Sequence, residues 1–335
     1  MLQEIVLSGI RPSTGGLHLG NIQGAVENMV NLQNSGQYQC YFFLADLHAG
    51  TTDPNFKEIR ENTYGVLADM IACGLDSEKS VISRQSDIPE LAQLHLFFSY
   101  VTTVSELQRN PVYREQVKEL GLNGNGLSSF LNYPVLQAAD ICLYRGELIP
   151  VGKDQIPHIE LTREIARRFN ELCGKEIFPI PEPLLTETPR IPGIDGRKMS
   201  KSYGNDISLS HSEEETEQRI SQMITDTKRP RLTDPGHPDN CPVFALHECY
   251  SSPEEVERIK AECQQARIGC RDSCKPALAQ VINSALRTPR EKRQELFDQP
   301  EELEELLLEG AVKARKVAIE TIKEVRVGLN LSRIS

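Results

Sequence analysis

A chain of 335 residues, 39% hydrophobic and 25% charged, is long enough to bury a sizeable core and to form two domains. Its net charge of −11 excludes nucleic-acid binding through overall charge, so such a partner must meet local basic patches. No run of eighteen apolar residues occurs, and Met1-Leu2-Gln3-Glu4 leads straight into a strand-like segment. Neither a membrane span nor a signal peptide is visible, and a cytoplasmic protein is expected.

Four short apolar runs, Ile5-Val6-Leu7, Tyr41-Phe42-Phe43-Leu44, Val81-Ile82 and Leu148-Ile149-Pro150-Val151, read as strands, each beside a helical pattern. The clearest helix starts at Asp53-Pro54, an N-cap with proline in the first turn. It carries Ile59, Thr63, Val66, Met70 and Ile71 on one face and stops at Gly74. Continuous apolar strands separated by helices predict an α/β fold. Its core is a doubly wound parallel sheet covered on both faces, with ligands at the carboxyl ends of the strands. A helical insertion is expected over about 88–132. After residue 204 helical spacing takes over, at 213–224, 253–267, 276–288 and from 301 onward. In the last of these Leu307, Ala311, Ala314, Ala318, Ile322, Val325 and Leu329 share one face. The expected division is 1–204 for a Rossmann-type domain and 205–335 for an all-helical one, the final helix free to pack back on the first. The Pro/Gly-rich stretch Pro189 to Gly196 leads to that boundary, and 226–242 reads as an irregular loop.

Directly after the first strand runs Ser8-Gly9-Ile10-Arg11-Pro12-Ser13-Thr14-Gly15-Gly16-Leu17-His18-Leu19-Gly20-Asn21. Glycines allow close backbone approach to a ligand, and a helix opening there offers free N–H groups and a positive dipole end to phosphate. His18 can donate to a phosphate oxygen, with Ser13 and Asn21 as further polar contacts. At a distance of 180 residues from His18 begins Lys198-Met199-Ser200-Lys201-Ser202, between glycines at 193, 196 and 204. Two ammonium groups on a mobile loop suit charge building up on a leaving pyrophosphate. Between these segments, Gln137 and Asp140 fall one turn apart in the otherwise apolar run Tyr133 to Ile141. A buried acid and amide need polar partners, and a pocket for a side chain with an N–H or O–H donor supplies one. Asp140 would accept that donor and Gln137 would lie near the ammonium. The acid alone does not distinguish an indole N–H from a phenol O–H.

Of nine cysteines, Cys40, Cys73, Cys142 and Cys173 read as packing residues, and disulfides are not expected. Cys241, Cys263, Cys270 and Cys274 follow one another with gaps of 21, 6 and 3 residues, near Cys249 and His247. Four thiolates so gathered suit tetrahedral zinc or an iron–sulfur cluster of structural purpose; the alternative is a set of free thiols. Basic patches stand at Lys228-Arg229-Pro230-Arg231, at Arg287 to Arg293, and at Lys313, Arg315 and Lys316.

The glycine-rich segment and Lys198 to Ser202 resemble the HIGH and KMSKS motifs of class I aminoacyl-tRNA synthetases. Two glycines precede Leu17 where one is usual, and Asn21 replaces the final histidine. The runs Val151-Gly152-Lys153-Asp154-Gln155, His158 to Glu164, Arg167 to Asn170 and Ala45-Asp46-x-His48-Ala49 are similar to those of bacterial tryptophanyl-tRNA synthetases. This resemblance covers about residues 5 to 329. It implies ATP contacts from Arg11, Pro12, Ser13, Gly20, Asn21, Gly152, Lys153, Asp154, Ile191 and Lys198 to Ser202, with His18, Lys198 and Lys201 catalytic and Asp140 reading the indole. Lys153 stands where glutamate is usual, and Gln137 where some relatives have an apolar residue. Some members hold a four-iron cluster on similar cysteines, with one residue more in the first gap and one fewer in the last. The resemblance further implies Mg²⁺, L-tryptophan, tRNA(Trp) read by the helical domain, and a homodimer. A tyrosine-specific enzyme and a catalytically silent tryptophan- or tRNA-binding relative are the other readings.

Overall fold

The computed structural model describes residues 3–12, 14–51, 56–119, 121, 127–185 and 191–332. Five parallel strands, β1 (Ile5–Ile10), β2 (Gln39–Leu44), β3 (Ser80–Arg84), β4 (Leu148–Val151) and β5 (Glu182–Leu185), form one sheet in the order β3-β2-β1-β4-β5. The first four contain the four apolar runs. The fifth, Glu182-Pro183-Leu184-Leu185, escapes the pattern because it is a half-exposed edge strand carrying a proline.

Side chains alternate across the sheet. Val6, Cys40, Phe42, Leu44 and Ile82 face one apolar cluster, whereas Leu7, Tyr41, Phe43 and Ile149 face another. The first face is covered by α1 (Leu19–Asn21), which runs through a π-helical turn at Ile22–Val26 into α2 (Glu27–Ser35), and by α4 (Ile59–Ala72); between them lies the short α3 (Asp46–Ala49). The second face is covered by α5 (Glu90–Ser99), α8 (Ser128–Leu143) and α9 (Ile156–Cys173), with α6 (Val104–Arg109) and α7 (Pro111–Glu119) between α5 and α8. The helix start at Asp53-Pro54 lies outside the described residues, as does Ser13. The expected start is not where the helix begins: Lys57 and Glu58 form a turn, Glu58 takes the N-cap position, and the helix runs from Ile59 to end before Gly74, whose φ is 110°.

Five helices follow: α10 (Glu213–Gln222), α11 (Pro242–Tyr250), α12 (Pro253–Gln264), α13 (Lys275–Phe297) and α14 (Pro300–Gly328). Local chemistry starts two of them: the Ser212 hydroxyl takes the Glu215 amide, and Ser252 takes the Glu255 amide with Pro253 behind it. Ile220, Val243, Leu278, Ile282 and Leu286 belong to the same apolar cluster as Val6, Phe42 and Val66. α14 lies along β3, tied by Arg84 to Glu304 (2.9 Å), Arg315 to Glu90 (2.6 Å) and Arg145 to Glu324 (2.7 Å). At Gly310 its backbone meets the Ile82 carbonyl so closely that a Cβ has no room. Gly310→Ala is expected to lower stability by about 1–3 kcal/mol, read from the urea midpoint, because the helix must lift off the strand. Among the described residues no helix is long and apolar enough to cross a membrane.

Candidate active site

The strand order reverses between β1 and β4, and such a switch point opens a crevice at the carboxyl edge of the sheet. A cavity of about 440 Å³ lies there. Gly9 and Arg11 from the end of β1, Gly152 and Gln155 beyond β4, and Gln137 and Asp140 on α8 all reach it.

Asp140 is 2% exposed. Both of its oxygens accept from Gln85 Nε2, at 2.8 and 2.9 Å, and Oδ2 also accepts from His48 Nε2 at 2.9 Å. The donors come from the 3-10 turn after β3 and from α3 after β2, so the segments following two strand ends hold one α8 carboxylate against the cavity wall. Oδ1 retains acceptor capacity for a further donor. His48 figured in the sequence only as part of a motif, and Gln85 carried no signal, since neither has a local partner.

Tyr133, one turn before Gln137, belongs to a second network. Asn110 Oδ1 accepts the Val112 and Tyr113 amides, so its Nδ2 donates to His158 Nδ1 (3.4 Å). Burial pushes His158 down to about 4, so the neutral ring carries its proton on Nε2 and donates to the Tyr133 oxygen (2.9 Å). That leaves the Tyr133 proton free to point elsewhere. Gln137 lines the cavity beside it.

The two signature segments come together beside α1. Gly16 turns the chain at φ 153°, and the Leu17 amide then donates to Asp69 Oδ2 of α4 (2.5 Å). His18 caps α1: its Nδ1 accepts the Asn21 amide, and its own amide donates to Asn21 Oδ1, each at 3.2 Å. Burial pushes His18 down to about 4, with Lys201 and Lys198 pressing the same way against Asp206. The neutral ring therefore bears its proton on Nε2, as a donor. Its carbon-bound protons are expected to show the neutral form by NMR from pH 8 to about pH 5, where an ordinary histidine is charged. An unfolded histidine protonates near 6.5 and the folded ring near 4, so this group withdraws stability as pH falls through that window.

Residues 207–209 run beside 17–19. The Ile207 carbonyl accepts the Leu19 amide (2.9 Å), and the Ser208 hydroxyl donates to the Leu17 carbonyl (3.0 Å). Just upstream, buried Asn205 staples the lysine loop by taking the Ser200 amide (2.8 Å) and donating to the Lys198 carbonyl (3.1 Å). The hydroxyls of Ser200 and Ser202 bond each other at 2.8 Å. Met199 and Ile191 are 2% and 5% exposed and point into the core, and the Met199 amide donates to the Ile191 carbonyl at 3.4 Å. Burial lowers Lys201, while Asp69 and Asp206 raise it. Lys153 and Asp154 sit in a short 3-10 turn that opens α9, on its exposed side.

The cysteine set lies apart from this site. Cys241 precedes α11, Cys263 ends α12, and Cys270 and Cys274 bound a π-helical turn before α13. Cys274 Sγ stands 3.6 Å from His247 Nε2, and Cys270 Sγ faces the Arg229 guanidinium at 3.7 Å. Burial pushes the thiols of Cys241, Cys263 and Cys274 up, the last to about 12, and the neighbouring thiols of the set push the same way. Among the described residues no group of three or more His, Cys, Asp or Glu side chains is arranged to hold a metal ion. The zinc or iron–sulfur expectation finds no support in this arrangement.

Several cations of the basic patches are also spent internally. Arg229 donates to the Ile268 and Leu232 carbonyls, Arg290 to Asn283 and Thr216, Arg293 to Asp69, and Arg315 to Glu90.

Residues 3–287 match the family model of class I tRNA synthetases for tryptophan and tyrosine. The tryptophan–tRNA ligase of Thermotoga maritima is 48% identical over 328 residues, covering 97% of this chain and 99% of that protein. The Aquifex aeolicus tryptophan–tRNA ligase is 41% identical, covering 97% and 99%. A crystal structure of tryptophanyl-tRNA synthetase from Campylobacter jejuni with ADP and tryptophan superposes with a TM-score of 0.86 at 34% identity, covering 97% and 99%. The chain belongs to the class I tRNA synthetases of the tryptophan and tyrosine group.

Proposed function

We propose that this chain is a tryptophan–tRNA ligase that forms tryptophanyl-adenylate from L-tryptophan and ATP and passes the aminoacyl group to the 3′ end of tRNA(Trp). The observation that carries this reading is the buried Asp140 carboxylate on a cavity at the switch point of the sheet, in a chain whose His18 and Lys198–Ser202 segments lie close to each other beside α1. A cavity of about 440 Å³ is of small-molecule size. In it Asp140 accepts the indole N–H, and Gln137 lies near the ammonium. The tryptophan carboxylate attacks the α-phosphate in line, and pyrophosphate departs. His18 Nε2–H, Lys198 and Lys201 stabilise the charge that moves onto it, while Arg11, Gly20, Asn21, Gly152 and Asp154 border the nucleotide. Mg²⁺ arrives with ATP and supplies charge neutralisation on the phosphates. A ribose hydroxyl of the tRNA then attacks the adenylate carbonyl and releases AMP. No protein nucleophile is needed.

We assign tRNA reading to the helices after residue 204, which share the apolar cluster on the first face of the sheet. Arg271, Lys275 and Arg287 converge on a groove of about 490 Å³ there. The chain works as a homodimer in the cytoplasm on this reading, and sedimentation at twice 37.6 kDa tests the first half. For Cys241, Cys263, Cys270 and Cys274 to hold iron or zinc together, Cys274 would have to leave His247 and Cys270 would have to leave Arg229. Metal analysis of anaerobically purified protein, with its absorbance near 400 nm (roughly where iron–thiolate charge transfer lies), is expected to show less than one metal per chain.

ATP–pyrophosphate exchange with tryptophan and with tyrosine tests the function. Exchange with tryptophan alone is expected. Exchange with tyrosine alone transfers the assignment to that amino acid, and exchange with neither makes the chain a binding relative.

A further inference from the structure

Asp69 is 0% exposed and lies in the last turn of α4, a costly place for a carboxylate without strong donors. It has two, from distant parts of the chain. The Leu17 amide donates to Oδ2 at 2.5 Å, and Arg293 Nε of α13 donates to Oδ1 at 2.6 Å. A second cation stands close by. A Cβ on Gly16 would lie 2.8 Å from Asp69 Oδ2 and 3.5 Å from Lys201 Nζ, so the missing side chain leaves room for the ammonium to approach the carboxylate. Asp69 and Asp206 both draw the Lys201 charge, and Arg293 opposes it. Arg293 is itself largely buried, with its guanidinium carbon over the Phe297 ring, 4.9 Å from the centroid.

One carboxylate thus touches the turn that presents His18, the helix α13 and the neighbourhood of the mobile lysine. We propose that Asp69 is a positioning residue for the ATP half of the reaction: it seats the Gly16–Leu17 turn, holds Lys201 near that turn before the nucleotide arrives, and is shared with Arg293. Sharing matters because a carboxylate that gives one oxygen to an arginine holds a lysine less tightly. Triphosphate can then draw Lys201 away. The same bond makes α13, in the helical region, part of the frame of the nucleotide site.

This inference rests on the proposed adenylation role of His18 and Lys201. Asp69→Asn keeps the volume and the Leu17 acceptor but turns an amide toward Arg293 or Lys201. It is expected to lower kcat/KM for ATP in pyrophosphate exchange by roughly 10- to 100-fold. Tryptophan affinity, measured by direct titration, should stay within about twofold, because Asp140 and its partners lie on the other side of the sheet's carboxyl edge. Arg293→Gln should reproduce the ATP defect, and Arg293→Lys should recover most of it. A folded Asp69→Asn protein with unchanged ATP parameters overturns the proposal, as does an equal fall in ATP and tryptophan parameters, which marks a general structural loss. If Asp69→Asn does not fold, Arg293→Gln decides alone: unchanged ATP parameters overturn the proposal. Absence of exchange in the unmodified protein overturns the underlying function as well, and is told apart by that control.

Discussion

Asp140→Ala is expected to lower tryptophan-dependent exchange by about a thousandfold or more while the protein stays folded. A site that reads a donor by hydrogen bond discriminates by factors of roughly 10⁴–10⁵ when the pair cannot form. Here the acceptor is buried and already oriented by Gln85 and His48, so little reorganisation accompanies binding. The substitution leaves the Gln85 and His48 donors without their carboxylate, which costs about 1–3 kcal/mol in a closed core. The adjoining cavity admits water to those groups, so the loss of stability should fall at the low end. Exchange kinetics and a thermal melt on the same preparation check both halves. Asp140→Asn, which keeps one acceptor oxygen, should lie between the two. Near-normal exchange by Asp140→Ala would remove the acid from the pocket assignment.

Lys201→Ala should lower the maximal exchange rate by about 10²–10³, the usual consequence of removing one donor to developing charge. KM for tryptophan should change less than about threefold, since the ammonium stands with Asp69 and Asp206 and not with Asp140. Lys201→Arg keeps the charge but not the compact ammonium, and should recover only part of the rate. A variant that loses tryptophan affinity and keeps its rate would show that Lys201 shapes the amino-acid pocket and leaves the pyrophosphate alone.

The parts of this protein legible in its sequence are those that neighbouring residues decide. β1 to β4 show as unbroken apolar runs because a parallel sheet buries both faces of its strands. α14 shows as a three-and-four spacing because one of its faces lies on β3. The two signature segments are legible for a related reason: glycines, a cap and closely spaced lysines act through local backbone geometry. β5 and α11 leave no such pattern in the sequence. The first is an edge strand with Pro183; the second is a nine-residue helix, Pro242–Tyr250, that opens where the loop pattern of 226–242 ends.

What only the tertiary structure decided is which distant groups share a charge. Asp140 takes its donors from 92 and 55 residues away, and Asp69 from 52 and 224. Arg229, Arg290 and Arg315 look like free surface cations in the sequence, yet each is bonded to another part of the chain. The four cysteines suggest a metal by spacing, yet two of them face His247 and Arg229. Periodicity reports which face of an element is buried. Which charged group meets which across the core follows from how whole elements pack, and that is set by the sum of all contacts and not by any local pattern.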